Sequence, residues 1–385
     1  MPEPAAERRV DLDWIRIAAF LLLILYHVGM YYVSWDWHVK SPAASRALEP
    51  LMLLTNPWRL ALLFLVSGAA TAFMMRRLEA GELARARSWR LLVPLVFGML
   101  VVVPPQSYFE VVEKISYAGS FGDFYVRYLS VDRDFCRGKD CLVVPTWNHL
   151  WFVAYLWFYT MVLAAVLAWK PAWREKLEAA LARALTGWGL LLWPWLAIAA
   201  WRILLVGRFG STYRLVDDWH NHAFFFTVFA IGFLAARNQR FWKEMERLRW
   251  PALALAAASY AFIAWYFWAR PFGAMPGDAV RAMQRAIYAL DVWATIVAIC
   301  GFAHRHIRGD GPVRRYLTDA IFPFYIVHQT AIIAFAVWLR PLGLHPGIEA
   351  GVLVLLTALA CVATYELARR VAPLRPLFGL KPAAP

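Results

Sequence analysis

The sequence predicts an all-α fold: a polytopic membrane helix bundle of about 10 transmembrane helices, with both termini cytoplasmic. Three observations predict it. The 385 residues are 61% hydrophobic, include 21 Trp, 25 Phe and 16 Tyr, and have a mean hydropathy of +0.49, which is more apolar surface than a soluble domain can hide. Ten apolar stretches reach or approach the length of a bilayer crossing. Basic residues recur in the short connections between those stretches, as membrane topology requires. That distribution accounts for the net charge of +14 and argues against nucleic acid as a partner.

The stretches fall near 13–33, 57–75, 89–108, 147–169, 187–206, 221–236, 251–269, 285–303, 318–339 and 347–368. The sixth is short. Pro104-Pro105 should kink or end the third, because proline removes a backbone donor and clashes with the preceding turn. The opening segment MPEPAAERRVDLDW has no small-residue cleavage pattern, so the first span reads as retained. That segment, the connections at 76–90, 170–186, 237–250 and 304–317, and the tail 369–385 carry 24 Lys and Arg. The opposite connections carry 13, five of them in the long 109–146 connection, where the charge rule is weak. The tail is therefore expected in the cytoplasm and the 109–146 connection outside. Chain 1–385 reads as a single integral membrane domain, without repeats or low-complexity tracts.

In the first span, Arg16 and His27 stand eleven residues apart. At roughly 100° per residue both leave one face of the helix, roughly 16 Å apart along its axis. Ionisable groups are costly in hydrocarbon, and two on one stripe point to a site. His27, toward the outer surface, suits a general base; packing against a neighbouring helix is the competing reading. Arg16, near the cytoplasm, suits a phosphate or carboxylate; snorkelling, or pairing with Asp11 or Asp13, is its alternative. Arg90, at the cytoplasmic start of the third span, has the same ambiguity.

Arg59 opens the second span in NPWRLALLFLVSG, where a charge is not needed for topology and can meet an anionic group. Ser67-Gly68 reads as close helix packing, not as a nucleophile. Gln106, Tyr108 and Glu110 end the third span at the outer mouth. There they can bind sugar hydroxyls, with Glu110 orienting an imidazole; a solvated helix end is the alternative. The 109–146 connection holds SYAGSFGDFYVRYLS, expected as a helix on the outer surface. It also holds Cys136 and Cys141, either a disulfide or two free thiols. His149 and Trp151 begin the fourth span, where an interfacial aromatic belt and a sugar platform look alike. His220 and His222 lack a third ligand, so no metal is expected. Asp291, in the eighth span, is expected to pair with Arg202. His328, in the ninth, is expected about a third of the way in from the cytoplasm. Cys300 and Cys361 read as inert core residues.

These segments together resemble the acyltransferase-3 family of bacterial membrane acyltransferases. The resemblance is carried by R-x10-H (Arg16, His27), PWRLALLFLVSG, RLLVPLVFGMLVVVPPQSYFE, HLWFVAYL and FPFYIVHQT, in that order over nearly the whole chain. The third motif makes the chain most similar to the branch that includes the glucan-biosynthesis succinyltransferase. The resemblance implies transfer of an acyl group, succinyl or acetyl, from cytoplasmic acyl-CoA to a carbohydrate hydroxyl on the periplasmic side of the bacterial inner membrane. It implies that the pair Arg16 and His27 is essential, with Arg16 on the donor's phosphates and His27 as base or covalent acyl carrier. The reading of the single residues adds Glu110 as a second catalytic candidate, Arg90 and His328 beside Arg16 for binding acyl-CoA, and Arg59, Gln106, Tyr108, His149 and Trp151 for binding the acceptor. The expected partners are the small-molecule acyl donor, the carbohydrate and membrane lipids, with no permanently bound cofactor. A transporter or exporter of a glycan or small anion is the competing function, and the lack of an internal repeat counts against it. A purely structural subunit is disfavoured by the ionisable residues in the spans.

Overall fold

The computed structural model describes residues 9–138, 140–270 and 276–382. Most of the opening segment, Lys139 between Cys136 and Cys141, part of the 270–285 connection and the end of the tail lie outside the described residues. The fold is all-α. In chain order the helices are α1 (Val10–Tyr32), α2 (Glu49–Thr55), α3 (Arg59–Met74), α4 (Ala80–Phe97), α5 (Pro104–Ile115), α6 (Phe121–Leu129), α7 (Trp151–Trp169) and α8 (Ala172–Ala184). They continue with α9 (Gly189–Phe209), α10 (Trp219–Ala235), α11 (Gln239–Ala264), α12 (Asp278–His306), α13 (Pro312–Leu339), α14 (Pro346–Arg370) and α15 (Leu374–Leu377). Among the described residues, eight helices are long and apolar enough to cross a membrane, or nine if the bent pair Ala80–Val102 and Pro104–Ile115 is one span. The expectation was about ten. The sixth expected stretch is α10, whose 17 residues stand at the lower limit of a crossing.

The chain folds as two compact units. The first contains the described residues of Met1–Ala19, Pro50–Arg85 and Phe158–Thr318. Within it α3 and α10 pack backbone to backbone: a Cβ on Gly68 would stand 2.1 Å from the Phe229 carbonyl oxygen, and one on Gly232 would stand 2.1 Å from that of Leu65. Small residues permit this approach, as expected for the Ser67-Gly68 pair. Gly68→Val should therefore force the helices apart and destabilise the protein by about 2–3 kcal/mol. Thermal unfolding of the purified protein would show it, with Ser67→Ala nearly neutral. Trp293 Nε1 donates to the Leu190 carbonyl at 2.7 Å and Trp195 Nε1 to that of Ala286 at 2.9 Å, tying α9 to α12.

The expected Arg202–Asp291 pair is absent. The Arg202 guanidinium lies 3.8 Å from the centre of the Tyr288 ring, a favourable cation–π contact. Asp291 is buried, with Oδ2 unpartnered.

The second unit contains the described residues of Phe20–Glu49, Ala86–Trp157 and Asp319–Pro385. Its organising feature is the break at Pro104-Pro105. After α4 the chain makes a π turn over Gly98–Val102, and α5 leaves at 43°. Two prolines in succession supply no N–H, and the Val103 N–H turns back to Gly98. Three carbonyls that lose their backbone donors find hydroxyls instead. Met99 accepts from Tyr128 at 2.8 Å, Leu100 from Tyr125 at 2.9 Å and Val102 from Thr330 at 2.7 Å. The kink is thus stitched to α6 and to α13, as buried carbonyls require.

The 109–146 connection folds against α5 and the kink. The helix α6 starts at a capping box between Ser120 and Asp123, and the serine's hydrogen bonds hold the Asp123 carboxyl below its ordinary range. Val111, Phe124, Tyr128, Phe135 and Val144 form a small core. Cys136 and Cys141 are joined by a disulfide across a two-residue antiparallel ladder. Beyond α1, Lys40 Nζ donates to the carbonyls of Met30 at 2.6 Å, Trp35 at 2.9 Å and Val33, closing the helix C-terminus. Burial there pushes the Lys40 ammonium below its ordinary value.

Candidate active site

The second unit brings together residues that are far apart in sequence. On the C-terminal half of α1, Phe20 and His27 lie two turns apart on one face. On α13, Tyr325 and His328 lie one turn apart. The Phe20 and Tyr325 rings meet edge to face at 5.4 Å, and His27 meets His328. Pro323 sits within α13, just before this turn.

His27 Nδ1 lies 2.8 Å from His328 Nε2, with the ring planes 13° from parallel. His328 Nδ1 lies 2.7 Å from the Tyr325 carbonyl oxygen. A carbonyl only accepts, so His328 carries its hydrogen on Nδ1 and, when neutral, a lone pair on Nε2. The shared hydrogen then belongs to His27 Nδ1, and the lone pair of His27 is on Nε2. The hydrogen-bond partners assign these tautomers. His328 is fully buried. Trp37 lies parallel to the other side of the site, its ring 6.4 Å from that of His27.

A third imidazole stands close by. The 3₁₀ turn Asn148–Leu150 before α7 presents His149 edge-on to His328, with centroids 5.1 Å apart. Tyr325 donates its hydroxyl to the His149 carbonyl. Gln106, in the first turn after the Pro104 break, lies 3.4 Å from His149 Nδ1 and donates to Thr330 at 2.6 Å. Gln329 follows His328 on α13 and is buried with it.

Of the residues expected in a site, His27, His328, His149 and Gln106 therefore share one cluster. The depth expected for His328 is corrected, because its bond to His27 puts the two at one level. Glu110 does orient an imidazole, but that of His38, at 2.5 Å. Tyr108 packs with Phe121 and Phe124 of α6, ring centres 5.5 and 5.7 Å away. Trp151 packs edge to face on Tyr155. Arg90 is exposed on α4. Arg59 and Arg16 belong to the first unit. Arg59 donates to the Asn56 carbonyl at 3.0 Å and to its side chain at 2.9 Å. Arg16 donates to the Thr318 carbonyl at 3.1 Å. Of the acids beside it, Asp11 meets Arg9 at 2.6 Å and Asp13 meets Arg314 at 2.5 Å.

Sequence reasoning did not single out His38, Gln329, Asn148 or Thr330. Gln329 and Thr330 lie beside His328 in the FPFYIVHQT segment, a polar run inside an apolar span, which was the available signal. His38 sits in the polar connection WDWHVK, with nothing periodic to mark it.

Residues 9–366 match the acyltransferase domain family, acyltransferase-3. The chain is similar to glucans biosynthesis protein C of Salmonella schwarzengrund (strain CVM19633), 23% identical over 394 residues that cover 99% of this chain and 97% of the relative. The protein of the same name from Salmonella typhimurium (strain LT2) is 22% identical over 394 residues with the same coverage. No solved structure matches the chain.

Proposed function

The chain belongs to the acyltransferase-3 family and is a polytopic membrane acyltransferase, and from that premise we propose that it carries an acyl group from cytoplasmic acyl-CoA to a carbohydrate hydroxyl at the outer face of the bacterial inner membrane. The observation that supports this reading best is the relay from His27 through His328 to the Tyr325 carbonyl. It gives His27 a defined basic nitrogen, Nε2.

In the proposed reaction Nε2 takes the proton of the acceptor hydroxyl as that oxygen attacks the thioester carbonyl. The carbon–sulfur bond breaks, the new ester bond stands, and the imidazolium returns the proton to the departing thiolate. While His27 is cationic, its Nδ1–H points at the lone pair of His328, which limits the cost of the charge. At the other end of α1, Arg16 is proposed to hold the donor's phosphates, a task suited to its permanent charge. The glucan in the name of the relatives supports a glucan as acceptor.

The test is acyl transfer by the purified protein in proteoliposomes, supplied with acetyl-CoA or succinyl-CoA and a glucan oligosaccharide, followed by mass spectrometry. The expected result is a glucan heavier by one acyl increment, whose mass names the acyl group. Glucan moved across the bilayer without modification, with no CoA released, would contradict the proposal and favour transport.

A further inference from the structure

His38 lies between a carboxylate and an amide. Its Nδ1 is 2.5 Å from Glu110 Oε2, and its Nε2 is 2.9 Å from Gln329 Nε2. A carboxylate accepts and an amide nitrogen donates, so His38 carries its hydrogen on Nδ1 and a lone pair on Nε2. The next links run in the same direction. Gln329 Nε2 also donates to Gln106 Oε1 at 3.0 Å, and Asn148 donates to that oxygen at 3.2 Å. Gln106 Nε2 faces the Thr330 hydroxyl and His149 Nδ1. His149 Nε2 meets the Ile326 carbonyl at 3.0 Å, so its hydrogen is on Nε2. The chain ends at the imidazole that stands edge-on to His328.

This direction depends on a neutral His38. A second proton turns its Nε2 from acceptor into donor, opposite an amide N–H. Gln329 must then turn over, which brings its oxygen against that of Gln106. Gln106 must turn in its place, setting its oxygen against the lone pair of His149. Around His38 stand Glu110, with Lys114 3.1 Å from it and 3.0 Å from Asp36, and the imidazole of His149 beyond the two amides.

We propose that His38, held on Glu110, is a positioning residue of the acyl transfer, whose neutral form fixes the Gln329–Gln106–His149 chain beside His328. The proposal rests on the reading of His27 and His328 as the reacting pair. Acyl transfer from acetyl-CoA or succinyl-CoA to a glucan oligosaccharide, measured from pH 5 to 9 in proteoliposomes, tests it. His38→Leu should lose about tenfold or more in kcat with little change in KM. His38→Gln, which keeps an acceptor oxygen near the position of Nε2 but does not titrate, should recover most of that loss. The acid limb should be shallower for His38→Gln than for wild type, because one of two inhibiting protonations is gone. Identical acid limbs in wild type and His38→Gln would overturn the role, as would full activity in His38→Leu. If His38→Leu does not fold, the His38→Gln profile decides alone. Full activity in His27→Ala would instead overturn the base assignment, so the two failures are distinguishable.

Discussion

His27→Ala should lower kcat for acyl transfer by about 10²- to 10⁴-fold, equivalent to about 3–5 kcal/mol of transition-state stabilisation. The variant loses the one lone pair that the relay directs away from His328, and no other imidazole in the cluster can replace it. In the variant the His328 lone pair is left behind the vacated position, a ring's width away from it, and the lone pair of His149, on Nδ1, faces Gln106 Nε2. KM for either substrate should change little, because a proton acceptor acts in the transition state more than in binding. His27 is half-buried at its helix face, so the protein should still fold, and its thermal midpoint checks that. Unchanged kcat in folded His27→Ala would remove the histidine from the chemistry.

His328→Leu should give the second largest loss, about 100-fold in kcat. Its side chain touches no acceptor hydroxyl in the proposed reaction; it acts by fixing the tautomer of His27 and by facing the charge that forms there. Where an imidazole base is held by an ionised partner, a change that leaves the wrong tautomer costs up to about 10⁴-fold. A neutral partner stabilises the cation less, hence the smaller figure. Leucine fills most of the space, and it also removes the hydrogen bond to the Tyr325 carbonyl. His328→Gln can return an acceptor to His27 and should recover part of the rate. A His328→Leu protein that turns over at the wild-type rate would show that the bond between the rings is packing only.

Much of this was legible in the sequence, for physical reasons that can be named. Apolar length and the placement of Lys and Arg mark membrane helices. Two consecutive prolines cannot donate, so the bend before α5 was foreseeable. Three hydroxyls completing the freed carbonyls were not, since Tyr125, Tyr128 and Thr330 approach from other elements. The eleven-residue spacing of Arg16 and His27 marks one face of α1, but the partner of that face comes from three hundred residues away. His328 was expected nearer the cytoplasm than its bond to His27 allows. The helix begins at Pro312, which sets His328 about 24 Å along it. Glu110 was expected to orient an imidazole; the ring it meets is that of His38, in a connection without periodicity. Arg202 and Asp291 looked complementary by charge alone; the arginine meets the face of Tyr288.

The central claim is that the His27 imidazole holds its proton on Nδ1, toward His328, and its lone pair on Nε2. Nitrogen-15 NMR of histidine-labelled protein in nanodiscs at pH 8 reads this directly, with the His27 signals identified by their loss in His27→Gln. The account predicts a protonated Nδ1 and an unprotonated Nε2. A proton found on Nε2 with Nδ1 bare would contradict it, because the nitrogen assigned to take the acceptor's proton would already carry one.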